Sequence, residues 1–370
     1  MERYRAEFPV TRRYNYLNHA GMCPVPDRVV QRITAAAQAQ AEHGLVRIEA
    51  WEREVEEVRA GAARLVGCGA DELTFVRNTS HGLSLVAAGI DWREGDVVLC
   101  ATSEEYPSNV YPWQRLAARG VELRTVDAPG GVVSAEAFAA AGDARTRLVV
   151  VSSVQYASGH RVDLEALGAV CRKRGWWLCV DAIQSLGAIP FDAQAVGAHF
   201  VAADAHKWML GPSGIGVLSV SRDVPLDPVL VGWRSTKEAT NFDQVKLDLR
   251  DDAARFEEGS LAYVTIAGLG GALELSEEVG VPAIWDRVRW LGDHLIGALG
   301  SAGHRVTSPV SGAGRSASVV FEPAGGDPAG LVARLAERGI VVSCRRGRLR
   351  ASPHFYNTTG ELDQLVQALR

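Results

Sequence analysis

Leu148-Val149-Val150-Val151 has no polar face. A strand with water on one side alternates apolar with polar residues. A strand apolar at every position lies in a sheet covered by helices on both sides, the usual setting of parallel strands. Short β-rich runs recur at 73–76, 97–101, 123–126, 148–154, 177–180, 200–203 and 215–220, and helical periodicity separates several of them, at 84–88, 110–118 and 164–174. This alternation predicts an α/β fold with a mostly parallel central sheet flanked by helices. Such sheets bind ligands beyond the carboxyl ends of their strands. Residues just after each strand are therefore where chemistry is expected.

Further out, 26–66 carries two helical patterns, the second (48–66) placing Trp51, Val55, Val58, Ala62 and Leu65 on one face. The pattern weakens over 224–256, where Pro225, Pro228 and Gly232 precede a polar stretch. Helices are expected at 264–279, 283–299, 328–338 and 360–369, with strands at 318–322, 340–343 and 349–352, a smaller C-terminal α+β domain. The expected division is an N-terminal arm at 1–15, a large domain at 16–255 and a small one at 256–370.

Bulk properties exclude several classes of function. Among 370 residues, 47% are hydrophobic and 22% charged, a globular balance, and the net charge of -5 without a basic run gives no case for nucleic acid or an anionic membrane. No apolar stretch approaches the ~20 residues of a membrane span. The opening Met1-Glu2-Arg3-Tyr4-Arg5-Ala6-Glu7-Phe8 lacks the apolar core of a signal peptide. Six cysteines (Cys23, Cys68, Cys100, Cys171, Cys179, Cys344) are scattered, without a CxxC pair or metal-ligand spacing. A cytoplasmic chain with free thiols and no metal is expected.

Three strand ends carry the candidate chemistry. In Leu178-Cys179-Val180-Asp181-Ala182-Ile183-Gln184, an acid directly after an apolar strand is costly to bury without a cationic partner. A protonated pyridine nitrogen is one such partner; capping of the next helix is the plain alternative. In Ala203-Asp204-Ala205-His206-Lys207-Trp208-Met209-Leu210-Gly211-Pro212, Lys207 is poorly placed for solvent. Desolvation lowers an ammonium pKa and suits Schiff-base chemistry; a surface lysine lying across Trp208 is the alternative. The following Gly211-Pro212-Ser213-Gly214-Ile215-Gly216 precedes a strand rather than a helix, so it is not a dinucleotide fingerprint. In Val76-Arg77-Asn78-Thr79-Ser80-His81-Gly82, small hydroxyl residues at a helix start form either a phosphate cradle or simple N-caps.

The order and spacing of the three together resemble the class V aminotransferase family of fold-type I pyridoxal-phosphate enzymes. The nearest likeness is to its cysteine desulfurase and isopenicillin-N-epimerase-like branch, from Tyr16-Leu17-Asn18-His19-Ala20 to Leu349-Arg350-Ala351-Ser352-Pro353-His354-Phe355-Tyr356-Asn357. The resemblance implies pyridoxal 5'-phosphate held as a Schiff base on Lys207, which then serves as general acid/base. It implies Asp181 on the pyridine nitrogen, Gln184 on the phenolic oxygen, Thr79, Ser80 and His206 on the phosphate, and Tyr106 stacked on the ring. Arg350 would clamp the α-carboxylate of a small amino-acid substrate, with Arg345 or Arg346 assisting, and Ala20 would line the substrate site. Ser260, in Arg255-Phe256-Glu257-Glu258-Gly259-Ser260, would reach the phosphate of a neighbouring subunit, implying a homodimer with shared active sites.

Three departures stand out. Desulfurases that pass sulfur as a persulfide carry a mobile cysteine loop, for which Arg345-Arg346-Gly347-Arg348-Leu349-Arg350 leaves no room; Cys344 ends a strand-like run and reads as structural. Ser153 replaces an Asn usual near the phenolic oxygen, with Gln155 as a substitute. Asp204 stands where a phosphate-binding Ser is frequent. The expected activity is C–S bond cleavage on a cysteine-like substrate, with transamination or epimerisation as alternatives. A non-catalytic regulator on the same fold and a nicotinamide oxidoreductase are the rivals of other classes.

Overall fold

The computed structural model describes residues 1–243 and 245–369. A short strand, β1 (Asn15–Tyr16), is followed by two long helices, α1 (Asp27–His43) and α2 (Ile48–Val66). Strands and helices then alternate: β2 (Leu73–Val76), α3 (Thr79–Gly89), β3 (Val97–Cys100), α4 (Tyr111–Gln114), β4 (Glu122–Thr125), α5 (Ala135–Ala141) and β5 (Thr146–Ser152). They continue through α6 (Leu164–Arg174), β6 (Trp177–Asp181), α7 (Ala193–Val196), β7 (Phe200–Asp204) and β8 (Gly216–Val220). The seven strands β2 to β8 form one sheet in the order β2-β8-β7-β6-β5-β3-β4, and only β8 runs antiparallel to its neighbours.

The all-apolar strands behave as expected. On β5, Val149 and Val151 join Leu99, Leu178 and Val180 in one core layer, while Leu148 and Val150 join Val98, Cys100 and Cys179 in the layer on the opposite face. Each such side chain stabilises the sheet by about 1.5–3 kcal/mol relative to exposure. The helix expected over 110–118 is shorter, α4 passing into a 3-10 segment, Arg115–Arg119, that Gly120 ends at φ +74°. Two short helices were not anticipated, although each carries a capping side chain. Ser134 accepts a hydrogen bond from the Ala137 N–H at 3.3 Å for α5, and Asp192 accepts one from Ala195 at 2.9 Å for α7.

Beyond the sheet, α8 (Tyr263–Val279) lies against α1 and α2. Its glycines make that approach possible: a Cβ on Gly268 would stand 2.7 Å from Ile33 Cγ1, and one on Gly270 2.8 Å from Val58 Cγ2. The C-terminal unit comprises α9 (Val281–Ser301), β9 (Arg305–Val306), β10 (Val319–Glu322), α10 (Pro328–Glu337), β11 (Ile340–Val341), β12 (Ser343–Arg345), β13 (Arg348–Ala351) and α11 (Thr359–Ala368). Its antiparallel sheet runs β12-β13-β10-β9, and β1 pairs in parallel with β11, tying the N-terminal segment to it. The run expected as one strand at 340–343 divides between β11 and β12. No helix among the described residues is long and apolar enough to cross a membrane.

Two local features bear on the site. The β12–β13 hairpin turns on Arg346 and Gly347 alone, both left-handed at φ +48° and +73°, the signature of a type I′ turn. Its register places Ser343 opposite Arg350, Cys344 opposite Leu349 and Arg345 opposite Arg348. Arg345 and Arg350 therefore share one face, and Cys344 faces the other with Leu349, which belongs to the small-unit core with Leu291 and Phe321. The second feature is a buried ion pair: Glu257 accepts from Arg59 Nη1 at 2.7 Å and Nη2 at 3.0 Å, and from the Phe75 N–H at 3.2 Å. It fastens the segment leading to Ser260 onto β2.

Candidate active site

The carboxyl ends of β2, β5, β6 and β7 open into one cavity of about 280 Å³, closed from the other side by Ala20 and Gly21 and by Arg345 and Arg350 of the hairpin. Ala20, Thr79, Ser80, Tyr106, Asp181, Gln184, His206, Lys207 and Arg350 all line it. Ser260 does not. It is exposed in a separate surface cavity with Arg77 and His81.

The helix start at the cavity floor is capped by neither hydroxyl residue. Asn78 Oδ1 accepts the His81 N–H at 2.9 Å, which frees Thr79 and Ser80 from that task. The Thr79 hydroxyl is buried without a partner among the described residues, and the Ser80 hydroxyl donates to Ser108 at 2.7 Å. Unpaired first-turn N–H groups and the positive end of the 11-residue α3 favour an anion here. Asp204 holds His206 by its Nδ1 at 2.7 Å, which leaves Nε2 as the ring nitrogen turned to the cavity.

At the end of β6, Asp181 is almost wholly buried and accepts one hydrogen bond, from the Ile183 N–H at 3.0 Å. Burial first, then the charges of Glu105 and Asp204, pushes its carboxyl up to about 7, against the opposing pull of the Ile183 N–H and Lys207. Lys207 is driven down to about 8, chiefly by burial, with Arg350 and Arg345 adding to the effect and Asp181 opposing it. Lys207 thus points into the cavity, and Trp208 packs away from it. Trp208 is buried and donates its Nε1–H to Gln184 Oε1 at 3.1 Å. That bond fixes the Gln184 amide, whose Nε2 donates to the Ala20 carbonyl at 3.0 Å and keeps a second N–H. Leu210, three residues on, sits at φ +60°, a left-handed conformation costing a non-glycine residue about 1–2 kcal/mol.

Tyr106 is about half exposed; its ring centroid lies 5.9 Å from Lys207 Nζ and meets the Tyr156 ring edge-on at 5.1 Å. Arg350 is buried with no acidic partner among the described residues. Its Nη1 donates to the Tyr156 carbonyl at 2.7 Å and its Nε has no partner. Burial, then the charge of Arg345, lowers its pKa, yet a guanidinium remains protonated, so a cation waits here for an anion.

Gln155 does not substitute for the missing Asn. Side chains alternate past the end of β5, so Ser152, Val154 and Tyr156 line the cavity while Gln155 turns away and donates to Glu105 at 2.9 Å. Glu105 itself escaped the sequence reading. Fully buried, it accepts from the Ser152 N–H at 2.7 Å, the Ser152 hydroxyl, Gln155 and Asn109 at 3.0 Å, bracing the loop that carries Tyr106. The signal was weak: Glu105 lies five residues beyond β3 and next to a second acid, Glu104, whereas Asp181 ends its strand.

The site fits a phosphorylated pyridine aldehyde. An orphan hydroxyl at a helix N-terminus suits the phosphate, and a buried carboxylate suits a ring nitrogen. A desolvated amine in the same cavity, Lys207, suits condensation with an aldehyde. The architecture and this cavity are those of a pyridoxal-phosphate enzyme built on a mostly parallel α/β sheet. A family model for class V aminotransferases matches residues 15–365. A protein named as a probable cysteine desulfurase from Methanothermobacter thermautotrophicus is 31% identical over 401 residues, spanning 100% of this chain and 97% of that protein. The apo structure of a cysteine desulfurase from Thermococcus onnurineus NA1 superposes with a TM-score of 0.90 at 25% identity, covering 100% of this chain and 96% of that one. The cystine C–S lyase C-DES, solved with its product cysteine persulfide, gives 0.91 at 25% identity and 98% of both chains. The chain belongs to the class V aminotransferase family, and its cofactor is pyridoxal 5'-phosphate.

The raised carboxyl of Asp181 has a measurable consequence in the cofactor-free protein. The folded state holds a proton between the unfolded value of 3.8 and about 7, so stability falls as pH rises through that window. Asp181→Asn keeps the Ile183 hydrogen bond and removes the charge. At pH 8 it is expected to unfold about 1–3 kcal/mol later than the parent, an advantage that vanishes below about pH 4. Urea titrations at the two pH values check this; an advantage that grows on acidification would contradict it.

Proposed function

We propose that the enzyme cleaves the Cβ–S bond of a cysteine-like L-amino acid and lets the sulfur leave into solution rather than holding it on a protein thiol. The observation that carries this is the cavity wall: none of its lining residues is a cysteine, and Cys344 is paired with Leu349 on the face of the hairpin opposite Arg345 and Arg350. The I′ turn at Arg346-Gly347 leaves no loop to bring a thiol in. The relatives' names, cysteine desulfurase and cystine C–S lyase, support C–S cleavage as the chemistry.

Each residue's task follows from its place. Thr79, Ser80 and His206 would hold the phosphate, Tyr106 would stack on the ring, and the spare N–H of Gln184 would serve the phenolic oxygen. Asp181 would keep a proton on the ring nitrogen, and Lys207 is the amine that would carry the cofactor. When bound, pyridoxal phosphate supplies an electron sink for the pair left at the substrate α-carbon. Arg350 grips the α-carboxylate through its free Nε edge, fixing which substituent faces Lys207. Lys207, neutral once its proton is given up, takes the α-proton, and the pair so released expels the sulfur substituent from Cβ. We further propose a homodimer in which Ser260 completes the partner's phosphate site. Supporting it are the exposure of Ser260 and the apolar side chains Val229, Val231, Trp233, Phe242 and Leu247 left exposed nearby in sequence.

The test is an amino-acid screen with parallel assays for sulfide, pyruvate and keto acids, repeated on Cys344→Ser. Pyruvate with sulfide or a released thiol, changed less than about twofold in Cys344→Ser, is the expected outcome. A thiol relay through Cys344 would instead lose about 10²-fold or more, the usual scale for removing a reacting group. Amino-group exchange with a keto acid, without pyruvate, would move the assignment to transamination.

A further inference from the structure

We infer that the substrate carries a second anionic group beyond its sulfur, and that Arg345 recognises it. This deepens, and rests on, the C–S cleavage proposed above: the substrate class becomes an S-substituted cysteine whose far end is acidic.

Two guanidinium groups face the cavity from one hairpin. Arg345 and Arg350 lie on the same face of β12 and β13, as diagonal neighbours in the register that pairs Ser343 with Arg350. In such a pair the diagonal positions stand roughly 7–8 Å apart, within reach of long side chains. Arg350 alone is sufficient for the α-carboxylate. Its Nη1 is occupied by the Tyr156 carbonyl, and the orphan Nε with its neighbouring Nη2 forms one complete two-pronged edge. Arg345 is then left over. Its hydrogen bond is from Nη1 to the Cys344 carbonyl at 2.8 Å, and no carboxylate pairs with it among the described residues. The two arginines between them differ: Arg348 pairs with Glu322 at 3.5 Å and does not line the cavity. Arg346 reaches out of the cavity to Glu104 at 3.4 Å and lies over the Tyr156 ring.

Charge makes the same point. The mutual repulsion of Arg345 and Arg350 already lowers the pKa of Arg350, and both lower that of Lys207. The acids of the cavity, Asp181 and Asp204, lie at strand ends of the large sheet, with Asp204 engaged by His206. One substrate carboxylate relieves one of the two hairpin cations. A second acid, a few bonds beyond Cβ, relieves the other and is rewarded in a partly desolvated site far more than in water.

The matched probes are S-carboxymethyl-L-cysteine and its amide, S-carbamoylmethyl-L-cysteine, which differ in charge and hardly in size. Cleavage takes the α-proton and breaks Cβ–S. The sulfur leaves as a thiol carrying that proton, and water converts the three-carbon remainder to pyruvate and ammonia. With the holoenzyme, kcat/KM for pyruvate release is expected to favour the acid over the amide by at least about tenfold, one charge-assisted contact. In Arg345→Gln the ratio is expected to fall to about one. A parent ratio near one would overturn the inference. So would an Arg345→Gln variant that loses both probes equally, because Arg345 would then share the α-carboxylate. The visible band of the bound cofactor gives dissociation constants independently of turnover. A tenfold preference in binding that Arg345→Gln abolishes, without pyruvate from either probe, would retire C–S cleavage and still uphold the second anion site.

Discussion

Lys207→Ala is expected to lower turnover by at least about 10³-fold while making the cofactor-free protein more stable. The two effects have one cause. A primary amine buried near Asp181, Arg345 and Arg350 is costly to keep charged, which is why it is driven down to about 8. A lowered pKa means the folded state binds fewer protons than the unfolded chain between about 8 and 10.5. Stability therefore rises with pH across that window, and the full cost is present at pH 7. Alanine removes it, for a gain of about 1–3 kcal/mol at pH 7 that fades as pH rises past 8. The catalytic loss follows from removing the group proposed to carry the cofactor and move the α-proton, a role worth ~10²–10⁴ for proton transfer alone. Stopped-time product assays and urea titrations at pH 7 and 10 read both. Turnover within tenfold of the parent would contradict the assigned role.

Arg350→Gln is expected to raise KM by about 10²–10³ and to disturb kcat much less. A buried guanidinium facing a carboxylate is a charge pair whose rupture costs ~3–5 kcal/mol, and each 1.4 kcal/mol is tenfold. Glutamine keeps one donor for the Tyr156 carbonyl, so the change isolates the α-carboxylate contact. The cofactor-free variant is expected to be more stable than the parent, because a buried cation without an acidic partner has been removed. A variant that loses kcat and keeps KM would show instead that Arg350 acts on the reacting bonds and not on the carboxylate.

Much of this molecule was legible because the strongest sequence signal and the site depend on the same thing. Strands apolar on both faces require helices on both sides, and that requirement fixes where their carboxyl ends open. Asp181, Lys207 and Thr79 were visible as polar residues placed where an apolar strand stops. What escaped were residues whose role is set by side-chain direction. Gln155 and Val154 are neighbours in sequence, and only the alternation past β5 turns one to Glu105 and the other to the cavity. From the residues alone Thr79 and Ser80 stayed open between caps and a phosphate cradle, because nothing in sequence shows that Asn78 takes the capping task. Arg345 could not be separated from Arg346 until the register of the hairpin and its I′ turn sent one into the cavity and the other to Glu104.

The chain contains four lysines, Lys173, Lys207, Lys237 and Lys246, and only Lys207 lines the cavity. Borohydride reduction of the holoenzyme followed by peptide mass spectrometry therefore asks the central question directly. A pyridoxyl-phosphate mass on the peptide holding residue 207, absent from Lys207→Ala, is the expected result; the same mass on any of the other three lysines, with residue 207 unmodified, would contradict it.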